Sequence, residues 1–328
     1  MSDVDDFMAA GLYDPEAVDA EARLALLRYL ADEIGASIPE IVQTHEDGGI
    51  LSFAAFRTLR ARGERYTLNE IAQQAGMRPD VARLFWRCVG FADPRPFERR
   101  FDQRDVETLQ LFRMLSELVG EQRSLSLART FGESVARLAD AEVALLRSNV
   151  EAPLAASQQY AAVARAYVNI VNELVPRIAT AFDALHAHHI QAIGRRYSEV
   201  GAPTSALNVV ELAVAFADLS GFTGLSMQLE PAHLGEMIDR FEAVTGDTII
   251  AAGATVAKRI GDAVMFVSNA PGVACALALD LIEGCRNAGL PKLRVGVAFG
   301  EVIVRQGDFY GGTVNLAARL VGAADAGT

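Results

Sequence analysis

Two carboxylates, Asp218 and Asp262, and one lysine, Lys258, are followed along the chain by Asp308, Asn315 and Arg319. Asp218 opens the run Asp218-Leu219-Ser220-Gly221-Phe222-Thr223-Gly224, and Asp262 closes Lys258-Arg259-Ile260-Gly261-Asp262. Two hard oxygen donors reaching one edge suit Mg²⁺ or Mn²⁺, which take one or two carboxylates and complete their shells with substrate phosphates. Glycines after Asp218 let backbone N–H groups approach phosphate oxygens closely. Asn315 and Arg319 are four residues apart, so on a helix they share a face. A guanidinium there suits charge that develops on a phosphate in a transition state. Each piece also has a bland reading: Asp218 as a strand-end cap, Asp262 as a turn former, Arg319 as a solvated helix residue. The ordered set points to a site for a metal-bound nucleoside triphosphate.

The elements that must position these residues change in kind along the chain. Up to about residue 200, Ala/Leu/Arg/Glu-rich stretches repeat apolar residues every three to four positions, the helical period. Asp14-Pro15-Glu16 is expected to open one helix, with Leu26, Leu27, Leu30 and Ile34 as its stripe. Further helices are expected over roughly 50–62, 104–119, 122–148 and 152–194, and Gly201-Ala202-Pro203-Thr204-Ser205 reads as a linker. Beyond it, Leu212–Ala217, Ala254–Ile260, Ala263–Val267, Leu293–Ala298 and Val302–Arg305 read as strands, and 231–251, 271–288 and Thr313–Val321 as helices. The order β-α-β-β-α-β predicts a ferredoxin-like α+β layer with a hairpin in its middle, Asp262 in the hairpin turn.

Three segments resemble the class III adenylate cyclases: Phe216–Thr223, Lys258–Met265 and Gly307–Leu320, in that order, within residues 208–328. The resemblance implies that Asp218 and Asp262, with the Leu219 backbone, hold two divalent cations, Mg²⁺ or Mn²⁺. It implies that Gly221, Phe222 and Thr223 meet the triphosphate and that Lys258 and Asp308 read the base. It places Asn315 on the ribose and Arg319 on the phosphate under attack. A carboxylate with an ammonium complements adenine, which offers an amino donor and a ring-nitrogen acceptor, whereas guanine presents the reverse pattern. The implied reaction is ATP to 3',5'-cyclic AMP and pyrophosphate. In this family the base-reading pair and the metal aspartates come from different subunits, so a symmetric homodimer of this chain would build two sites. The resemblance also implies further strands after the Arg319 helix, one bearing a phosphate-contacting lysine. The catalytic domain is therefore expected to be incomplete at Thr328, with an exposed sheet edge, and such a chain can lack turnover although its named set is present. A diguanylate cyclase would share the core topology, but the chain has no Gly-Gly-Asp/Glu-Glu-Phe hairpin.

Residues 1–200 are expected to form a helical regulatory domain whose connecting helix lies near 152–194. Residues 60–115 resemble the helix-turn-helix of MerR-type regulators. Thr67 and Glu70 are spaced as a capping box, Gly76 as the turn, and Pro79–Cys88 as the second helix. Arg78, Arg83 and Arg87 could face phosphate, but Asp80, Glu64 and Glu70 offset them and Leu84, Phe85 and Trp86 need burial, so protein packing is the preferred reading over DNA. A rival function follows from the same segment: a DNA-binding or ligand-sensing regulator with a catalytically silent cyclase-like domain. His186, His188 and His189 cluster near the end of the connecting helix and are candidates for pH sensing, since imidazole titrates near neutrality. A small apolar ligand among the helices is the other regulatory input this composition allows.

Composition sets the bounds. The 328 residues suit two domains, 51% hydrophobic content is enough for real cores, and 22% charged residues argue against disorder. A net charge of −12 disfavours nonspecific binding to nucleic acid or anionic membrane. Apolar runs are short and broken by charges, and the acidic start lacks signal-peptide order, so a cytoplasmic protein without a membrane span is expected. Cys88, Cys275 and Cys285 are odd in number and lack metal-ligand spacing, as free thiols in a reducing compartment would be.

Overall fold

The computed structural model describes residues 4–60, 65–200 and 208–328, in two compact units, Met1–His186 and Ala187–Thr328. The linker expected at Gly201–Ser205 lies outside the described residues.

In the first unit every element is helical: α1 (Val4–Ala9), α2 (Ala20–Arg28), α3 (Ile38–Glu46), α4 (Phe53–Arg60), α5 (Leu68–Gln74), α6 (Pro79–Cys88), α7 (Gln103–Val119) and α8 (Glu121–Leu146) lead to α9–α11 below. Asp14 does not open a helix. Its carboxylate accepts the Glu16 N–H in a turn, the local alternative that Asp side chains offer the backbone, and α2 starts only at Ala20. Leu26, Leu27 and Leu30 are still buried as expected, with Phe7, Ile41, Ala54 and Ala164.

Thr67 caps α5 as its spacing predicts, accepting the Glu70 N–H while the Glu70 carboxylate accepts the Thr67 N–H. The arginines that could have faced phosphate are engaged at home: Arg78 with Asp80, Arg87 with Asp93, and Arg83 with the Asn69 amide oxygen. Phe85 is buried among Ile71, Leu109 and Phe112. These contacts favour protein packing for this segment.

The single helix expected over 152–194 is instead three: α9 (Ala152–Ala156), α10 (Tyr160–Asn169) and α11 (Val175–Val200). Gln158 adopts a left-handed conformation, φ 54°, just past α9. Ile170–Leu174 then widens into a π-helical turn ahead of Val175-Pro176. Pro176 has no N–H to donate and its ring crowds the carbonyl four residues back, so a widened turn relieves both problems. Among the described residues no other element makes more than slight contact with α11.

The second unit is a five-stranded antiparallel sheet in the order β2-β3-β1-β4-β5. The strands are β1 (Val209–Leu219), β2 (Thr255–Ile260), β3 (Ala263–Ser268), β4 (Leu293–Arg305) and β5 (Asp308–Tyr310). The helices are α12 (Phe222–Ser226), α13 (Pro231–Ala251), α14 (Pro271–Asn287) and α15 (Gly312–Ala323). The first four strands with α13 and α14 form the βαββαβ layer expected. The two strands expected at Leu293–Ala298 and Val302–Arg305 are one, because β1 pairs with β4 without a break from Val209 to Leu219.

Alternation along β1 sorts the core into two layers. Ala213, Ala215, Ala217 and Leu219 pack with Phe241 and Ile249 of α13 and Leu277 and Leu281 of α14. Val210, Leu212, Val214 and Phe216 pack on the other face with Phe309 of β5 and Ala317 of α15. Asp218 continues this second series, so it belongs to the α15 face. Gly296 of β4 is what lets α15 lie so close: a methyl group added there would sit 2.2 Å from the Val321 nitrogen and 2.6 Å from the Ala317 oxygen. The last residues begin to pair with β4, Gly327 donating to Leu293 and Val295 to Thr328. Among the described residues no helix is long and apolar enough to cross a membrane.

Candidate active site

Asp218 is next to last in β1, and Asp262 sits in the tight β2–β3 turn that Gly261 permits with φ 60°. Because β1 and β3 are direct neighbours, with Asp218 opposite Ala263, both aspartates come to one edge. The Leu219 N–H fastens the turn by donating to the Asp262 carbonyl at 3.2 Å. Burial, reinforced by the neighbouring Asp218, raises the Asp262 carboxyl above its ordinary pKa, against a hydrogen bond from its own backbone and the charge of Arg294. A carboxylate disfavoured as an anion by burial and a neighbouring acid invites a cation.

Arg294 is the residue that sequence reasoning missed. It lies opposite Asp218 on β4, and its Nε and Nη2 donate to one Asp218 oxygen at 2.8 and 2.5 Å. Only the register of two strands far apart in sequence reveals this pairing.

Next to the carboxylates, Gly221 takes a left-handed conformation, φ 79°, and starts α12. Phe222 packs on the core, and the Thr223 carbonyl accepts from the Ser226 hydroxyl. The Ser220 hydroxyl oxygen is buried beside Leu219 without a hydrogen-bond partner, an orphaned polar atom at the mouth of the site.

Lys258 and Asp308 meet directly. The Lys258 ammonium donates to both Asp308 oxygens at 2.8 Å, although β2 and β5 are at opposite ends of the strand order. In a flat sheet four interstrand gaps would separate them by about 19 Å, far beyond a lysine's reach. The sheet must therefore curl, and Phe309 of β5, buried with Met265 and Val210, holds the curl. Burial alone would raise the Asp308 carboxyl, but Lys258, the Phe309 N–H and Tyr310 together bring it below its ordinary pKa. The pair is thus a stable ammonium–carboxylate, both partners about one-third exposed.

Asn315 and Arg319 are not brought to either cluster by any contact. Both are exposed on α15, and neither side chain makes a hydrogen bond or ion pair in the described structure. Leu316 and Leu320, their neighbours on α15, are exposed as well, as are Phe299 and Tyr310. His186, His188 and His189 are exposed on α11, with the His186 ring stacked on Phe182. Among the described residues no three of His, Cys, Asp and Glu gather as a ligand set. Asp218 and Asp262 therefore fit a hard cation that takes its remaining oxygens from substrate, and no all-protein cage.

Residues 205–328 match the adenylate and guanylate cyclase catalytic domain. An adenylate cyclase of Streptomyces coelicolor is 34% identical over 259 residues, 78% of this chain and 67% of that protein. A Mycobacterium tuberculosis protein described as uncharacterized is 37% identical over 330 residues, 99% of this chain and 84% of its own length. Another from that species, described as a pH-sensitive adenylate cyclase, is 27% identical over 276 residues, 81% of this chain and 68% of its own length. The chain belongs to the class III adenylate and guanylate cyclase family. Within it, the helical region before the catalytic domain is shared with these relatives, since their matches extend well beyond residues 205–328.

Proposed function

We propose that this chain is a cytoplasmic adenylate cyclase that converts ATP to 3',5'-cyclic AMP and pyrophosphate at the interface of a homodimer, with residues 1–200 as the regulatory domain and 208–328 as the catalytic domain. The observation that carries the choice of ATP is the Lys258–Asp308 pair. Its carboxylate can accept from the adenine amino group while its ammonium donates to the adjacent ring nitrogen, and guanine offers the opposite order at both positions. The names of the adenylate cyclase relatives support the same choice.

Asp218, Asp262 and the Leu219 carbonyl would hold two divalent cations, Mg²⁺ or Mn²⁺, whose chemistry is to ease deprotonation of the ribose 3'-hydroxyl and to neutralise the triphosphate. The chain's own residues do the rest. Gly221, Phe222 and Thr223 offer backbone to the phosphates, and Arg294 adds a positive charge beside them. Asn315 orients the ribose. Arg319 stabilises the charge that builds on the α-phosphate as the 3'-oxygen attacks and the bond to pyrophosphate breaks. Exposure of Asn315 and Arg319, whose side chains make no hydrogen bond or ion pair among the described residues, supports a site completed by a second copy.

The protein incubated with Mn²⁺ and either ATP or GTP is expected to yield cyclic AMP, with ATP preferred by at least about tenfold in kcat/KM, a floor below what a hydrogen-bonding site can reach. Cyclic GMP as the dominant product, measured by chromatography, would overturn the base assignment.

Regulation through α11 is part of the same reading. His186, His188 and His189 stand exposed on this helix, and one relative is described as pH-sensitive. Replacing all three with Gln is expected to flatten the activity profile between pH 5.5 and 8, because glutamine has no proton to gain or lose in that range. An unchanged profile would remove the histidines from regulation, leaving an apolar ligand among the helices as the input to test.

A further inference from the structure

β1 ends at Leu219, yet the Ser220 N–H still donates to the Lys292 carbonyl at 2.8 Å, one step past the Leu219–Leu293 pair. Strand alternation therefore carries on to residue 220. It puts Ser220 on the same side of the sheet as Asp218, with Leu219 turned into the opposite core. With its N–H engaged on β4, Ser220 has one donor left, the hydroxyl. That oxygen is buried and has no hydrogen-bond partner among the described residues. Ser226, Thr245, Thr248, Ser268 and Thr313 of the same unit each donate their hydroxyl to a main-chain carbonyl. Ser220 does not, and a buried polar atom left unpaired in a fold calls for an explanation.

We infer that the Ser220 hydroxyl is a further substrate ligand, donating to a phosphate oxygen of the nucleoside triphosphate. This role rests on the cyclase reading of the site and deepens it. The residue as a whole is partly exposed, so a turn about χ1 from one staggered well to another brings the hydroxyl out. Gly221, next in the chain and left-handed, has no side chain to stand in the way. An anionic oxygen suits the hydroxyl better than the cation does. What Ser220 lacks is an acceptor, and Asp218 and Asp262 already supply the charged oxygens that a hard cation prefers. Turned inward the hydroxyl has no partner; turned outward to a phosphate it gains a charged one.

Ser220→Ala removes the hydroxyl and leaves the main-chain bond to Lys292 in place. The probe is 3'-deoxy-ATP, which lacks the attacking hydroxyl and cannot cyclise, titrated by calorimetry in saturating Mn²⁺. The variant is expected to bind it about tenfold more weakly than the wild type, with a similar rise in KM for ATP, the scale of a hydrogen bond to a charged group. Without nucleotide its melting temperature is expected to stay level or rise, because the substitution removes an unpaired buried atom. Equal affinity for 3'-deoxy-ATP overturns the inference and leaves the cyclase reading standing. A lower melting temperature without nucleotide overturns it too, since the hydroxyl would then be structural. A higher Mn²⁺ requirement at saturating ATP, with affinity in saturating Mn²⁺ unmoved, would put the hydroxyl on the cation and overturn the phosphate assignment. No binding of 3'-deoxy-ATP by the wild type would sink the cyclase reading itself, and this role with it.

Discussion

Mixing equal amounts of Lys258→Ala and Asp218→Ala chains is expected to restore cyclase activity to about a quarter of the wild-type rate, from two preparations that are each nearly inactive. The figure follows from symmetry. Random pairing makes about half of the dimers mixed, and in each mixed dimer one of the two sites combines intact halves while the other collects both lesions. Each homodimer should fall by about 10²–10³ or more, the usual cost of removing a positioned charge from such a site. The structural basis is that Lys258 bonds Asp308 within one chain, while the Asn315 and Arg319 side chains make no hydrogen bond or ion pair among the described residues. Activity that stays at the level of the separate variants, with both shown folded by circular dichroism, would mean that one chain builds its own site.

A comparably large effect is expected from one added methyl group. Gly296→Ala puts a carbon 2.2 Å from the Val321 nitrogen and 2.6 Å from the Ala317 oxygen, both backbone atoms of α15 that no rotamer change can clear. Either the helix lifts or β4 gives way. Overpacking of this kind costs about 1–3 kcal/mol or more, and the activity loss should exceed what that stability loss explains, because α15 carries Asn315 and Arg319. Gly272→Ala, at the start of α14 with open space around it, is the matched control and should leave melting temperature and rate nearly unchanged. Wild-type activity in a folded Gly296→Ala chain would show that the position of α15 is not critical.

How much of this could be read in advance depended on how local each determinant is. The Thr67–Glu70 cap, the Pro79 start of α6 and the Pro271 start of α14 are signals within four residues, and the structure has each helix where they place it. The break at Gln158 and the widened turn before Pro176 escaped because the flanking residues keep helical periodicity across both. Asp14 misled for a related reason, since the same carboxylate serves a turn as readily as a helix cap. In the catalytic unit the strand order was legible from element order, and with it the meeting of Asp218 and Asp262. The Asp218–Arg294 pair was not, because it depends on strand register. Nothing in pairwise spacing would bring Lys258 to Asp308. The resemblance to a known family named both residues, and the curl of the sheet is what gives that pairing a physical cause.

The sheet leaves two of the three carboxylates named for the site already paired with cations. Lys258 is closed on Asp308 and Arg294 on Asp218, so two cations and two anions cancel in place before any substrate arrives. On the proposed function, loading the site is then a swap of partners. Each bond that Lys258, Asp308 or Asp218 makes to nucleotide or cation is bought by loosening one inside the protein. On the proposed base assignment, selectivity gains from this arrangement. A base that can engage only one member of the Lys258–Asp308 couple leaves the other stranded, and the couple simply closes again.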